Sequence, residues 1–316
     1  MRLRRRRSLA IAGAGGAAGI HAAAAPSAGM RVVAVASAQG RSARALAGEA
    51  GGRRVDVVDL PADADVMVVA TPIDTHLSLA ISGARGGALV LVESPWWTDC
   101  AEANAAMAVD HAGPGRIRGA ANLRSSPLWR QLLAERSEFG SPTHISGAVT
   151  QPLPQWGHLS EGTPHRSPMR QLGAPAVTCA LDLIDPDWPA TCSVRASRNG
   201  ADVRIEIITD VVRADLTLTH GNAASVWFQA ANDEGVLRVE FSPAAALERN
   251  GVDVLGQAPS GDASIAVLRD AGYVDQLARL GAEDDLTLDP EQMAFVTSLL
   301  DAAETSAASD GRLVTP

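Results

Sequence analysis

The chain has 316 residues, of which 46% are hydrophobic, 20% charged and only 3% aromatic. This length suggests two domains, or one large domain, whose core needs neither disulfides nor a structural metal. The formal net charge of −9, from 27 basic and 36 acidic residues, argues against proteins that bind nucleic acid or anionic membranes.

The residue types limit the chemistry available to the chain. All 27 basic residues are arginine, which excludes a Schiff base, a lysine acid and a phosphate-loop lysine. With a single tyrosine, Tyr273, the candidate proton donors are His, Cys, Asp and Glu. The three cysteines, Cys100, Cys179 and Cys192, lack metal-ligand or disulfide spacing and fit a reducing, cytoplasmic compartment. We therefore predict no metal site.

The N-terminus allows two interpretations. Five arginines between Arg2 and Arg7 precede an apolar run, as in an export signal. The same run also predicts a buried first strand followed by a glycine turn, and cleavage near Ala25 would remove that turn. We favour the strand. No stretch of 18 apolar residues is free of charges and glycine clusters, so no transmembrane helix is predicted.

Strands alternate with helices over the first part of the chain, which predicts βαβ units and a parallel Rossmann-type sheet. We assign residues 1–121 to this dinucleotide-binding domain. The predicted strands are 8–12, 31–36, 55–58, 65–70 and 88–92, and the predicted helices are 19–26, 42–50, 76–85 and 99–111.

Residues 122–316 are predicted to form an α+β domain with a mostly antiparallel open sheet, which binds substrate and forms oligomers. Alternating segments separated by turns such as Asn199-Gly200 indicate this sheet. The predicted strands are 143–150, 192–197, 202–209, 214–220, 224–230 and 235–241, and the predicted helices are 126–136, 170–184, 263–279 and 290–308.

A glycine-rich segment follows the first strand and opens a helix. Residues 13–18 fit G-x-G-x-x-G/A, a pattern in which the backbone approaches a pyrophosphate at the helix N-terminus. The predicted cofactor residues here are Gly13, Gly15, Gly16, Ala17 and Ala18.

The end of the second strand bears on the choice of cofactor. Enzymes that use NAD usually place an acid there for the ribose 2′-hydroxyl. This chain has no acid there, and Ser37, Arg41 and Ser42 could surround a 2′-phosphate. We therefore favour NADP over NAD, the alternative being that Arg41 and Arg44 are ordinary surface charges.

Several motifs in order resemble the Gfo/Idh/MocA oxidoreductase family. They are the glycine turn with His21, Ala70-Thr71-Pro72 with His76, Glu93-Ser94-Pro95, Asn122-Leu123-Arg124 with Pro127, and the ending from Ala302 to Val314. The resemblance implies a cofactor role for Thr71, Pro72, His76, Glu93, Ser94 and Pro95, and a homodimer or homotetramer.

The sequence departs from this family at its catalytic positions. The family's Glu-Lys-Pro lysine is Ser94 here. The family's second catalytic motif is D-x-G-x-H-x-x-D. In one alignment register of that motif the family's first Asp is Pro175 here, its His is Cys179, and only its last Asp is kept, as Asp182. A second register places Gln171 and Pro175 there instead. Each lost acid–base group typically costs about 10²–10⁴-fold in rate.

We predict that residues in or near the segment 155–166 replace the lost acid–base groups of the family. His158 and His165 titrate near neutrality, and Cys179 is a further candidate acid. Each has a structural alternative: a polar surface loop for the histidines and core packing for the cysteine. The candidate substrate-binding residues are Trp96, Trp97, Asn122, Arg124, Trp156, Arg166 and Arg170.

Two functions remain open. The first is a noncanonical NADPH-dependent reductase of a small imine, enone or ketone, for which one proton donor or water suffices. The second is a catalytically inactive cofactor-binding sensor, regulator or partner subunit. A non-redox, NAD-assisted lyase or glycosidase is a further alternative. Nothing in the sequence identifies the substrate.

Overall fold

A computed structural model describes residues 6–60, 64–152, 168–185, 187–189, 191–200, 202–255 and 263–316. The chain divides into two compact units, residues 1–126 with 261–294 and residues 127–260 with 295–316. Residues 261–294, which the sequence analysis assigns to the second domain, cluster with the first unit.

The first unit contains a six-stranded parallel sheet with the order β3-β2-β1-β4-β5-β6. The central strands are short apolar runs buried on both faces, as a parallel sheet between helices requires. The predicted Rossmann-type fold is confirmed. The strands are β1 Arg7–Ala12, β2 Met30–Ala36, β3 Arg53–Val55, β4 Val66–Val69, β5 Leu89–Val92 and β6 Ile117–Gly119.

The helices of this unit follow the strands in alternation, and two later ones join them. The helices are α1 Gly16–Ala24, α2 Gly40–Ala50, α3 His76–Arg85, α4 Cys100–His111, α5 Asn122–Ser125, α8 Ala263–Asp270 and α9 Tyr273–Arg279. The single helix predicted over 263–279 is two, because Gly272 has φ +85° at the break. A Cβ on Gly272 would lie 1.8 Å from the carbonyl oxygen of Asn122, so this contact with α5 requires glycine.

The second unit contains an eight-stranded sheet with the order β14-β13-β12-β11-β7-β10-β9-β8. Only the pair β7 and β10 is parallel, so the predicted mostly antiparallel sheet is confirmed. The strands are β7 His144–Gln151, β8 Ser193–Asn199, β9 Asp202–Ile208, β10 Arg213–His220, β11 Ser225–Asn232, β12 Gly235–Ser242, β13 Ala246–Arg249 and β14 Val252–Asp253.

Three longer helices complete the architecture: α6 Pro127–Phe139, α7 Pro168–Ile184 and α10 Pro290–Ala308. Helix α7 packs on β7 and β10, and nearly all of its residues are buried. It therefore forms the centre of the second unit's core. Across the described ranges, we find no helix both long and apolar enough to cross a membrane.

A buried carboxylate holds two tryptophans in that core. Asp182 of α7 accepts hydrogen bonds from the indole nitrogens of Trp129, at 3.1 Å, and Trp188, at 2.8 Å. Trp129 in turn packs edge-on against Phe228 of β11, with ring centroids 5.7 Å apart. Asp182 thus links α6 and α7 to the segment that follows α7.

We predict that Asp182→Ala destabilises the second unit by roughly 2–4 kcal/mol, because it removes the buried acceptor of two indole N–H groups, one from the buried Trp129 and one from the half-buried Trp188. Thermal unfolding by circular dichroism measures the change. Glu234→Ala, at an exposed turn position, is the matched control and should leave the melting temperature unchanged. An equal melting temperature for Asp182→Ala and wild type would contradict this role.

Candidate cofactor site

The glycine turn after β1 is fixed by a close contact between three strand ends. Gly13 has φ +118°, and a Cβ there would lie 2.1 Å from the carbonyl oxygen of Ala70, which follows β4. The amide of Gly13 donates to the carbonyl of Ala36 at the end of β2, at 2.7 Å. The amide of Ala70 donates to Ala12 at the same distance. Only glycine fits, and the chain is turned directly into α1.

Helix α1 begins with its backbone amides open to solvent. Gly15 is the N-cap residue, no side chain caps the helix, and its first turn carries no acid. Gly15 and Gly16 are exposed, Ala17 is half-buried, and Ala18 is buried against the core. A helix N-terminus of this kind attracts an anion through its free N–H groups and its dipole. The exposed helix start is compatible with a bound pyrophosphate, and that contact stays a prediction.

The end of β2 presents polar and basic side chains without an acid at Ser37. The Ser37 hydroxyl accepts a hydrogen bond from the amide of Gln39 at 3.2 Å. Arg41 is exposed and Ser42 half-buried at the start of α2.

A second arginine lies near this turn and is missed by sequence reasoning. The Arg54 guanidinium, from β3, lies 3.6 Å from the position of a Cβ on Gly40. It is ion-paired with Asp56. The parallel pairing of β3 with β2 brings Arg54 here, and local motifs carry no signal of that pairing.

His76 ties together the loops that follow β4 and β5. Its Nδ1 faces the carbonyl oxygen of Trp96 at 3.1 Å, and its Nε2 faces that of Thr71 at 2.8 Å. Burial lowers the pKa of His76 below its ordinary 6.5, against smaller opposing effects of these carbonyls. The neutral imidazole carries a single N–H, so His76 donates to one of these two carbonyl oxygens. His76 therefore lies between Thr71 and Trp96, and its contact with a cofactor stays a prediction.

Glu93, at the end of β5, belongs to a buried cluster with His21 and Tyr273. His21 Nε2 lies 2.5 Å from Glu93 Oε1, and the Tyr273 ring meets the His21 ring edge-on at 5.6 Å between centroids. Burial, and then the charge of Glu93, raise the pKa of Tyr273 above its ordinary value. Tyr273 thus stays protonated. Sequence reasoning singled out His21 and Glu93 separately and did not join Tyr273 to them.

The residues after Glu93 turn towards the interior of the first unit. The Ser94 hydroxyl is buried and has no hydrogen-bond partner among the described residues, and Pro95 is half-buried. Trp96 and Trp97 are each 2% exposed, and Trp96 Nε1 donates to Ala120 at 3.2 Å. The structure therefore favours packing over the predicted substrate contact for both tryptophans.

Three predicted substrate residues are engaged within their own units. Asn122 donates to the carbonyl of Ala271 at 2.9 Å, and Arg124 donates to that of Leu286 at 3.0 Å. Arg170 pairs with Asp301 at 2.7 Å and Glu304 at 3.3 Å. Burial alone would lower the pKa of Arg170, but the two carboxylates raise it. These contacts give all three residues a structural role.

The structure describes one of the three predicted proton donors. Cys179 is 1% exposed in the middle of α7, so the structure places it in the core. His158 and His165 lie outside the described residues, as do the predicted substrate residues Trp156 and Arg166. No cluster of three or more His, Cys, Asp or Glu able to hold a metal occurs in the described ranges.

Part of the first unit is similar to known proteins. Residues 7–111 match the model of the oxidoreductase family with an NAD-binding Rossmann fold, Gfo/Idh/MocA. An inositol 2-dehydrogenase of Rhizobium meliloti (strain 1021) is 34% identical over 120 residues, or 37% of this chain and 36% of that protein. Inositol 2-dehydrogenase 1 of Saccharopolyspora erythraea is 48% identical over 73 residues, 22% of either chain. The match thus spans about a third or less of these curated relatives.

Solved structures match the fold of the whole chain. GenD2 from gentamicin A biosynthesis, in complex with NAD, has a TM-score of 0.79 at 20% identity and covers 100% of this chain and 98% of its own. A putative myo-inositol dehydrogenase from Sinorhizobium meliloti 1021 has a TM-score of 0.78 at 19% identity, with 98% and 99% covered. At these identities the likeness shows the fold alone. The predicted family resemblance is confirmed.

We predict that Gly13→Ala weakens nicotinamide-dinucleotide binding at least about tenfold, because the new Cβ displaces the turn that precedes α1. Calorimetric titration measures the affinity. Gly19→Ala is the matched control, since a Cβ there meets nothing within 4 Å. It should bind normally and be more stable by roughly 0.5–1 kcal/mol. Equal affinities for the two variants would contradict a role of the Gly13 turn in cofactor binding.

A second prediction concerns acid sensitivity. Because the pKa of His76 is lowered in the folded state, protonation of the unfolded chain destabilises the protein as the pH falls below 6.5. Melting temperatures measured from pH 8 to pH 5 should fall less steeply in His76→Gln than in wild type. The variant should melt lower at pH 8, because the link between the two loops is weakened. Parallel curves would show that His76 is not the titrating group.

Proposed function

We propose that the protein is an NADPH-dependent reductase of a small imine, enone or ketone. The observation that carries this proposal is the exposed, uncapped N-terminus of α1 behind Gly13. It lies at the carboxyl ends of parallel strands, where open α/β sheets bind their ligands. A bound nicotinamide cofactor would supply the hydride, and this chain's own residues would hold its pyrophosphate.

The preference for NADPH rests on the turn after β2. Ser37 replaces the acid that would repel a 2′-phosphate, and the side chains of Arg41, Ser42 and Arg54 could surround one. Arg54 shares its charge with Asp56, so Arg41 is the stronger candidate contact. GenD2 is a structural neighbour in complex with NAD, and this preference would set the present chain apart from it.

The reductive direction rests on the loss of acid–base groups. Ser94 stands where the family has lysine, and Pro175 and Cys179 fall where one register places its Asp and His. Oxidation of an alcohol needs a base for the hydroxyl proton, whereas reduction of an imine or enone needs a single proton donor. His158 and His165 are the candidate donors, and Arg166 a candidate contact for an anionic substrate.

A second function is favoured by the geometry of α7. Pro175 and Cys179 lie inside a helix that is buried almost throughout, and Asp182 holds two indoles. These three positions therefore serve packing. An inactive cofactor-binding sensor, regulator or partner subunit would need this packing but no acid–base groups. In either function we expect a homodimer or homotetramer.

Titration of purified protein with NADPH, NADP⁺, NADH and NAD⁺ tests the cofactor assignment. We expect the phosphorylated forms to bind at least about tenfold more tightly, since one charge-assisted contact is worth that much. Ser37→Asp should weaken NADPH binding and spare NADH. Arg31→Gln, an exposed arginine of β2, is the control and should change neither affinity. Failure of all four nucleotides to bind would refute both functions.

Activity separates the two functions. A screen of imines, enones and ketones with NADPH should yield turnover, and His158→Ala and His165→Ala should reduce it by about 10²–10⁴-fold without changing cofactor affinity. Binding without turnover on any of these classes would favour the sensor. Unchanged turnover in both variants would remove the two histidines from the mechanism.

A further inference from the structure

The carboxyl end of β3 carries an acid next to the turn that follows β2. The two strands are parallel, and their last paired residues are Ala36 and Val55. The residues that follow, Ser37 and Asp56, therefore leave the sheet side by side, since adjacent strands lie about 4.8 Å apart. The acid that is absent from the end of β2 thus stands at the end of the neighbouring strand.

The carboxylate of Asp56 is paired with a guanidinium of its own strand. Arg54 Nη2 donates to Asp56 Oδ1, and the two side chains are 36% and 59% exposed. An exposed ion pair of this kind contributes little to stability, because water and salt screen both charges. A stronger anion can therefore take the place of Asp56 on Arg54.

The Arg54 guanidinium also lies beside the N-terminus of α2. Its Nη2, Cζ and Nε atoms are 3.6, 3.9 and 3.9 Å from the position of a Cβ on Gly40, the first residue of that helix. No side chain caps α2, and its first turn carries no acid. The free amides of a helix start carry partial positive charge, which disfavours a neighbouring cation. An anion at this place is stabilised by both the guanidinium and the helix.

The other charges of this segment do not replace Asp56. Residues 37–60 hold four arginines and three acids. Arg41 is exposed in the first turn of α2 and adds positive charge there. Glu49 stands near the far end of α2, roughly 13 Å from its start, and Asp59 ends the short helix that follows β3. Asp56 is therefore the carboxylate that partly neutralises the start of α2.

We propose that Asp56 limits the preference for NADPH, because its carboxylate competes with the 2′-phosphate for the Arg54 guanidinium. This inference rests on the proposed function and makes Asp56 a residue that determines specificity. A phosphate accepts paired hydrogen bonds from a guanidinium and carries more charge than a carboxylate. NADPH therefore draws Arg54 away from Asp56, whereas NADH leaves the pair intact. The free energy needed to break the pair lowers the affinity for NADPH alone.

Calorimetric titration of wild type, Asp56→Asn and Arg54→Gln with NADPH and NADH tests this competition. Asp56→Asn should bind NADPH about three- to tenfold more tightly, and Arg54→Gln should bind it more weakly by a similar factor. The NADH affinity of both variants should equal that of wild type, which also shows that they fold. Glu49→Gln makes the same charge change at the far end of α2 and is the matched control. It should alter NADPH affinity by less than about twofold.

A double variant separates competition from simple repulsion. When Arg54 is already Gln, Asp56→Asn should tighten NADPH binding less than it does in wild type. Equal tightening in the two backgrounds would mean that Asp56 only repels the phosphate, and would overturn the proposal.

The titrations also distinguish this inference from the proposed function. If wild type prefers NADPH and Asp56→Asn has the same affinity for it, the inference fails and the proposed function stands. Weaker NADH binding by Asp56→Asn would assign the carboxylate to the ribose hydroxyls and overturn the inference. A wild type that binds NADH and not NADPH would refute the NADPH preference, and the inference with it.

Discussion

The contact between Gly13 and Ala70 sets the geometry of the first unit. Because no side chain fits between them, the ends of β1, β2 and β4 converge on one point, and the chain enters α1 there. The amides of α1 then face outward at the carboxyl edge of the sheet. A substitution at Gly13 would change both the strand pairing and the exposed N-terminus of α1. A turn of this kind therefore needs glycine.

Around this point, buried polar groups hold the neighbouring loops. His76 lies between a carbonyl oxygen that follows β4 and one that follows β5, and His21 hydrogen-bonds to the carboxylate of Glu93 and packs edge-on against Tyr273. Hydrogen bonds of this kind stabilise most when burial excludes competing water. The two buried histidines therefore have a structural role in this unit.

The sequence predicted the elements whose signals are local. A wholly apolar run followed by glycines predicts β1 and its turn, and alternating polarity predicts the second sheet. β6 has three residues, too few for a pattern, and was missed. The break at Gly272 depends on the approach of Asn122, which is distant in sequence. Long-range pairing likewise brings Arg54 beside Gly40 and Tyr273 beside His21, so neither neighbour could be predicted from spacing.

The two edges of the parallel sheet differ in their electrostatics. Helices antiparallel to the strands place their positive N-termini at the carboxyl edge, where backbone amides alone can hold an anion. The amino edge receives the negative C-termini of helices, and Arg7 donates there to the carbonyl oxygen of Leu280, the residue after α9. The guanidinium of Arg7 thus offsets a helix C-terminus, and since arginine stays protonated, that contact persists at every physiological pH. The opposite polarity of the two edges is the reason that the carboxyl edge, and not the amino edge, suits the pyrophosphate of the proposed cofactor.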